Sequence, residues 1–322
     1  MHAISITTLD GPDAIEYSEL PDPEAGENVI VDVKAAGVAF PELLQTRGQY
    51  QIKPPLPFVP GAEVAGVVES APEGSGLAPG DRVAALSLIG GFAEKAACRA
   101  DLTFALPDSV GFNEGAAFLF NYCTAYFSLV ERGKLAEGET VLVQGAAGGI
   151  GTASIQVAKA FGAGKVIAVV STDAKGEAAR KAGADEVVMA DGFLDEVGKK
   201  SVDIVVDPVG GDRFTDSLRT LRRDGRILVI GFTGGEIPTV KVNRLLLNNI
   251  GVIGVGWGEY ALAHEGHIAG EYEAMRSHLE SGALAPLVES TYPLAEAAEA
   301  LKSMESRTVI GKVVLTTQGS GT

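Results

Sequence analysis

The sequence predicts an α/β protein of two domains, one made of short strands and one built on a doubly wound parallel sheet. Short apolar runs cut by Gly and Pro fill residues 1–110. A glycine cluster stands between an apolar run and a helical stretch at residues 145–151. Six Val- and Ile-rich runs alternate mostly with helical stretches between residues 140 and 257.

In the first part, Val29, Val31 and Val33 recur at every second position of ENVIVDVK, the pattern of a half-buried strand. EVAGVVES (63–70), DRVAALSL (81–88) and GGFAEKAAC (90–98) are further strands, separated by the turn-forming clusters PDPEAGEN, PPLPFVPG and APEGSGLAPGD. Strands this short and closely spaced predict a compact β barrel or sandwich. Residues 111–133 are long and largely apolar and read mostly as helix. The alternation then begins. The strands are TVLVQG (140–145), KVIAVVS (165–171), EVVMA (186–190), DIVVDPVG (203–210), RILVIGF (226–232) and GVIGVGW (251–257), with helices over 150–162, 173–183, 191–200 and 212–221. Apolar runs without alternation are what strands covered on both faces look like, so these six predict a parallel sheet. Beyond Trp257, a helix carries Tyr272, Met275 and Leu279 on one face, a second spans 295–306, and a strand closes the chain at 311–317. This tail is expected to pack back on the first domain. The expected domains are residues 1–118 with 262–322, and residues 119–261.

A length of 322 residues suits two domains. The composition, 46% hydrophobic and 21% charged, is that of an ordinary globular protein. The net charge of −16 argues against a nucleic-acid or anionic-membrane binder, because both need a basic face. Two distant cysteines, Cys98 and Cys123, make neither a disulfide scaffold nor a cysteine zinc site. The N-terminal stretch has no basic, then apolar, leader pattern, and no apolar run approaches the roughly 20 residues of a membrane span. A cytoplasmic protein is expected.

The glycine cluster carries the chemistry. A dinucleotide-binding turn must let backbone N–H groups approach a pyrophosphate, and the following helix adds its unpaired amides and partial positive charge. Ala146-Ala147-Gly148-Gly149-Ile150-Gly151 stands where such a turn is required, with alanine in the first glycine position. The competing reading is a glycine turn that only closes a helix–sheet contact. NAD sites usually end the second strand with a carboxylate about 20 residues past the glycines. Here that strand ends in Ser171-Thr172, and Lys175 lies four residues past Ser171. Two hydroxyls and an ammonium suit a 2′-phosphate, which points to NADPH. Asp173 opposes that reading, and a solvated first-turn Lys175 is the alternative. His264-Glu265-Gly266-His267 has i,i+3 spacing with a Gly between, not the i,i+4 spacing that puts two rings on one helix face, so it reads as a surface helix start.

These residues resemble the medium-chain dehydrogenase/reductase superfamily and, within it, the zinc-independent quinone oxidoreductases related to zeta-crystallin. The resemblance rests on AAGGIG (146–151), VKAAGV and RGQY (33–38, 47–50), PGAEVAGVV (60–68), PGDRVAAL (79–86), DPVGG (207–211), GRILVIGF (225–232) and GKVVL (311–315), in the family's order along nearly the whole chain. It implies a GroES-like β-barrel domain built from both ends of the chain, an inserted Rossmann domain, and an active site in the cleft between them. It also implies cofactor contacts from Asn121, Thr124, Ala147, Gly148, Gly149, Ile150, Gly151, Ser171, Thr172, Lys175, Gly231 and Phe232, and an acceptor site lined by Phe40, Leu44 and Trp257. Alcohol dehydrogenases of this superfamily bind catalytic zinc through a Cys and a His whose positions here hold Ala39 and Ala62, and the four-cysteine lobe is absent. Alanine offers no ligand atom, so no metal is expected.

The sequence departs from the quinone reductases at the Asn and Tyr that face the nicotinamide, replaced here by Ala39 and Leu44, and at a cofactor-contacting Tyr, replaced by Ala190. The implied reaction is hydride transfer from NADPH to a quinone or other conjugated carbonyl. Tyr50 is the candidate donor to the carbonyl oxygen, and its alternative is a loop aromatic packed on the barrel. An enoyl-thioester or 2-alkenal reductase is a second enzyme reading; a basic entrance for coenzyme A would come from Arg222, Arg223, Arg226 and Arg244. A redox-silent NADPH-binding protein is the reading of another class. The resemblance implies a homodimer formed by an open edge strand such as GVIGVGW.

Overall fold

The structure, a computed structural model, describes residues 1–306 and 308–317. Its strands are β1 (His2–Ile6), β2 (Ile15–Glu19), β3 (Asn28–Val38), β4 (Glu63–Ser70), β5 (Arg82–Leu86), β6 (Lys95–Arg99), β7 (Thr103–Ala105), β8 (Thr140–Val143), β9 (Lys165–Val170), β10 (Glu186–Met189), β11 (Val202–Asp207), β12 (Leu221–Val229), β13 (Gly251–Gly254), β14 (Ser290–Pro293) and β15 (Val313–Thr316). They fall into two compact units. The first comprises Met1–Phe120, Ile268–Glu280 and the chain from Pro286 onward; the second comprises Asn121–His267 and Ser281–Ala285.

The first unit is built on a sheet ordered β14-β15-β3-β4-β5-β7. The long strand β3 is its axis. One side of β3 pairs along its length with β4; the other is shared end to end by β6, opposite Asn28–Asp32, and β15, opposite Ala35–Val38. β15 comes from the far end of the chain, so the closing strand does return to this unit. Val29, Val31 and Val33 point into one buried cluster with Leu43, Phe92, Leu301 and Leu315. The helix His267–Glu280 buries Tyr272, Met275 and Leu279, the face its spacing predicts. Tyr272 stacks on Phe104, with ring centroids 4.7 Å apart, and its hydroxyl donates to the Ala105 carbonyl.

The unit also buries an ion pair. The Lys312 ammonium donates to Glu63 Oε1, with both side chains almost fully enclosed. The ammonium also stands 5.6 Å from the centre of the Phe120 ring. Glu63 Oε2 accepts the N–H of Phe120 at 3.0 Å. Residues 111–133 are mostly helical, as the sequence reads, in three pieces: a turn of helix at Phe112–Gly115, a second helix at Leu119–Tyr126, and a π-helical segment at Phe127–Arg132. Gly115 has no room for a side chain, because a Cβ there would lie 2.8 Å from Leu106. The chain re-enters helix where Glu63 satisfies one of the amides that a helix start leaves unpaired.

In the second unit, six parallel strands are ordered β10-β9-β8-β11-β12-β13. This is the doubly wound order, in which the direction of winding reverses between β8 and β11. The helix Gly149–Ala160 follows β8 and Asp173–Lys181 follows β9. The short segment Ser281–Ala285 belongs to this unit because Gln156 holds it. Gln156 Oε1 accepts the Ala285 N–H at 2.7 Å, and its Nε2 donates to the Ala285 carbonyl at 2.8 Å. The return to the first unit therefore begins at Ile268 rather than residue 262, and is interrupted once. Among the described residues no helix is long and apolar enough to cross a membrane.

Removing one partner of a buried ion pair strands the other charge, at a cost of about 3–5 kcal/mol. Lys312→Met is expected to lower unfolding stability in urea by about that amount. Adding Glu63→Gln should recover most of it, because the stranded carboxylate is then gone.

Candidate dinucleotide and acceptor site

In doubly wound sheets, ligands bind beyond the carboxyl ends of the strands where the winding reverses. In this unit that position is flanked by the turn after β8 and the loop after β11. The turn is held to its neighbours by backbone bonds, with Ala146 N–H donating to Val169 O on β9 and Gln144 N–H to Val206 O on β11. Gly145 takes φ +59°, a left-handed conformation that favours glycine.

The glycines of the cluster have different jobs. At Gly151 a Cβ would lie 2.3 Å from the Gly145 carbonyl oxygen, so glycine lets the helix start press against the turn. At Gly149 a Cβ would lie 2.5 Å from Asn121 Nδ2, which brings buried Asn121 to the helix start. At Gly148 the nearest atom to a Cβ would be 3.5 Å away, and its φ of −79° suits any residue. A side chain there would meet only ordinary contact, and the first-turn amides of Gly149, Ile150 and Gly151 have no carbonyl within the helix to reach. Ala147 is buried beside them, and Thr124 is buried in the helix that carries Asn121.

At the tip of β9 the structure brings Ser171 and Lys175 together, with Lys175 Nζ 3.4 Å from Ser171 Oγ. Thr172 caps the following helix: its Oγ1 accepts the Lys175 N–H at 3.3 Å. Its oxygen is thus partly committed, and Ser171 with Lys175 forms the outward-facing pair.

The loop after β11 meets the same turn, and the loop after β12 packs on the loop after β11. A Cβ on Gly145 would lie 3.0 Å from Val209, and one on Gly210 would lie 3.0 Å from the ring of Phe232. Thr233 and Gly234 donate their amides to Pro208 and Val209. Gly231 and Phe232 thereby lie against the loop after β11, with Phe232 38% exposed. Asp207 organises this meeting. It is buried at the end of β11, and its Oδ1 accepts the N–H groups of Val209 and Gly210, each at 2.9 Å. Burial raises its pKa, against the pull of those two amides and of Arg213. The sequence reading carried Asp207 only inside a motif. The signal available was a carboxylate ending an apolar run before two glycines. Trp257 is buried at the first position of the helix Trp257–Ala263.

In the first unit, Phe40 and Leu44 lie on the helix Phe40–Gln45, and Phe40 also packs on the core. Tyr50 is half-buried in the wall of a small pocket of about 40 Å³ shared with Leu9, Ile52 and Phe58. Burial pushes its pKa up, and the nearby Glu42 carboxylate adds to this, so the phenol stays protonated at neutral pH. Ala39 and Ala62 have no side-chain donor for a metal, and their amides are both bonded to Glu42. Two of the arginines considered for a basic entrance are engaged elsewhere. Arg226 pairs with Glu139 and donates to the Gly133 and Lys134 carbonyls, and Arg222 pairs with Asp203.

Comparison with known proteins agrees with this construction. Residues 25–117 match the alcohol dehydrogenase GroES-like domain, and residues 149–272 match the zinc-binding dehydrogenase family. The quinone oxidoreductase-like protein 2 of Rattus norvegicus is 36% identical over 302 residues, which is 92% of this chain and 86% of its own. The crystal structure of a probable oxidoreductase from Mycobacterium abscessus superposes with a TM-score of 0.89 at 46% identity, over 98% of each chain. The quinone oxidoreductase of Thermus thermophilus, whose structures include a complex with NADPH, gives 0.85 at 33% identity over 98% of this chain and all of that one. The chain belongs to the medium-chain dehydrogenase/reductase superfamily, as a quinone oxidoreductase-like member with a GroES-like domain and a Rossmann domain.

The steric contrast between the glycines is directly measurable. Gly151→Ala is expected to lower stability by about 3 kcal/mol through overpacking against the turn. Gly148→Ala should leave stability within about 0.5 kcal/mol, as at an open surface position. Thermal unfolding of the two variants beside the parent checks both.

Proposed function

We propose that this protein is an NADPH-dependent oxidoreductase that reduces a quinone or another conjugated carbonyl without zinc. The carrying observation is the helix start after Gly148, whose first-turn amides have no partner within the helix, with the Ser171–Lys175 pair at the tip of the next strand. The crystallised relative bound to NADPH supports the same cofactor. The residues fit the group. The amides of Gly149, Ile150 and Gly151 would receive pyrophosphate oxygens, and Ser171 with Lys175 would receive the 2′-phosphate. Phe232, against the loop after β11, would border the nicotinamide. The absence of ligand atoms at Ala39 and Ala62 supports a reaction without catalytic zinc.

Held by those amides with Ser171 and Lys175, NADPH would supply the hydride that reduces the acceptor by two electrons. The chain's part is orientation and charge. The protonated Tyr50 hydroxyl donates a hydrogen bond to the acceptor's carbonyl oxygen as negative charge gathers on it. A solvent proton completes the quinol or the saturated carbonyl. Buried Asp207 keeps the loop between Pro208 and Gly211 against the turn rather than acting on the acceptor. No observation favours a coenzyme A thioester, because Arg222 and Arg226 are already paired.

NADPH and NADH oxidation followed at 340 nm, with a quinone, a 2-alkenal and an enoyl-CoA as acceptors, tests this reading. Turnover with NADPH and the quinone is expected. Lys175→Ala should raise KM for NADPH about tenfold, the equivalent of one charge-assisted hydrogen bond, and leave NADH unaffected. Tyr50→Phe should lower kcat with NADPH binding intact. NADPH binding without oxidation by any acceptor would reject the enzyme in favour of a redox-silent protein.

The same reading includes a homodimer. β13 is an edge strand, and in the segment that precedes it in sequence Val242, Leu246 and Leu247 are 73%, 76% and 75% exposed. Apolar side chains this open in the segment leading to an unpaired strand edge suit a second copy related by a two-fold axis. Light scattering should give a dimer mass for the parent and a monomer mass for the Leu246→Asp, Leu247→Asp double variant. A monomeric parent would reject the dimer.

A further inference from the structure

Among the buried carboxylates outside the proposed reaction, Glu42 stands nearest in sequence to Tyr50. Glu42 exposes 1% of its surface and sits in the first turn of the helix Phe40–Gln45. β3 and β4 run antiparallel as far as the pair Gly37–Glu63, and there the two chains part. Glu42 fills the fork. Its Oε2 accepts the N–H of Ala39 at 2.9 Å, and its Oε1 accepts the N–H of Ala62 at 3.0 Å. Both amides lie past the last rung of the ladder, and backbone groups buried there must find another acceptor. A carboxylate offers two acceptor oxygens, and a protonated acid or an amide turns one of those positions into a donor.

The fork leads directly to Tyr50. The helix ends at Gln45, Thr46 Oγ1 donates to the Leu43 carbonyl, and Gln49 N–H donates to the Leu44 carbonyl. Tyr50 is the next residue. Three ionisable groups face Glu42: the Lys312 ammonium, the Glu63 carboxylate that pairs with it, and the Tyr50 phenol. One ammonium therefore serves two carboxylates. Glu63 bonds it directly, and Glu42 feels it at a distance.

We propose that Glu42 is a positioning residue for acceptor reduction: its ionised carboxylate clamps Ala39 to Ala62 and so orients the segment that carries Phe40, Leu44 and Tyr50, and protonation releases one end of the clamp. Burial pushes its carboxyl up to about 7, against the pull of Lys312 and the backbone amides, so the clamp changes state within the neutral range. Because the pKa is raised, the protonated, half-released form dominates below it and the ionised, clamped form above it. Activity through this group rises with pH across that midpoint. The kinetic part of this inference rests on the reductase reading above; the clamp itself does not.

The test combines kinetics with amide NMR on the full-length protein. In the parent, kcat/KM with NADPH and the quinone is expected to fall on the acid side with a midpoint near 7, and the amide shifts of Ala39 and Ala62 to titrate together at that midpoint. Glu42→Gln should abolish both titrations and lower kcat/KM at pH 8 about tenfold, as the loss of one buried hydrogen bond predicts. Glu42→Asp, too short to reach both amides, is the second variant should the glutamine protein fail to fold. It should keep an acid limb and lose the joint titration of the two amides. Amides that titrate separately or not at all in the parent would overturn the clamp. An unchanged pH profile in Glu42→Gln would overturn its role in the reaction. A parent that turns over no acceptor but shows the joint titration would reject the reductase role and leave the clamp standing.

Discussion

The arrangement of the first unit depends on where one ammonium is buried. Lys312 reaches Glu63 across 249 positions of sequence, and the pair joins the strand that closes the chain to a strand near its start. Two charges withdrawn from water are tolerated only if each is well paired and its remaining hydrogen-bonding capacity is used. Glu63 meets that demand by accepting the Phe120 amide with its second oxygen, and so it also sets where a helix begins. Gly37 beside it has no side chain because a Cβ there would lie 2.1 Å from the Ala116 carbonyl and 2.7 Å from Glu63 Oε1. Strand order, helix start and a glycine thus answer to the same buried pair. Glu42 is the carboxylate left over, facing Lys312 without bonding it.

The second unit is governed by missing side chains rather than by charge. Gly151 and Gly145 are where backbone meets backbone or a neighbouring loop, and they bring helix, turn and adjacent loop together. Gly148 is under no such constraint, since a Cβ there would meet only ordinary contact. Asp207 does for the facing loop what Glu42 does for the fork. Each is a buried carboxylate that accepts two backbone amides, and burial raises the pKa of both. In both places the buried acid holds backbone that side chains alone leave unpaired.

The local geometry of the candidate site was legible because its parts are close in sequence. A glycine turn between strand and helix, and a serine and lysine four positions apart across a helix start, are set by neighbours a few residues away. The cap formed by Thr172 follows the same logic, although the sequence reading gave its hydroxyl to a ligand. Glu42 and Asp207 escaped notice because their partners are backbone amides, which leave no pattern of residue types. Arg222 and Arg226 looked available for a ligand, but their partners Asp203 and Glu139 lie far away in sequence. The π-helical segment after Tyr126 has no signal that distinguishes it from ordinary helix.

By itself the sequence determined the strand-forming runs, the helical intervals between them, the glycine turn, the tail's return to the first unit and the absence of ligand atoms at Ala39 and Ala62. Side-chain periodicity and turn chemistry act over a few residues and are written in the residue order. The tertiary structure alone decided that β3 is shared by β6 and β15, that the sheet reverses between β8 and β11, and that Ser281–Ala285 joins the second unit through Gln156. It also placed Glu42 between two diverging chains. Those outcomes come from burial. Which distant polar groups must satisfy one another depends on what is removed from water together, and that is settled only once the strands have packed.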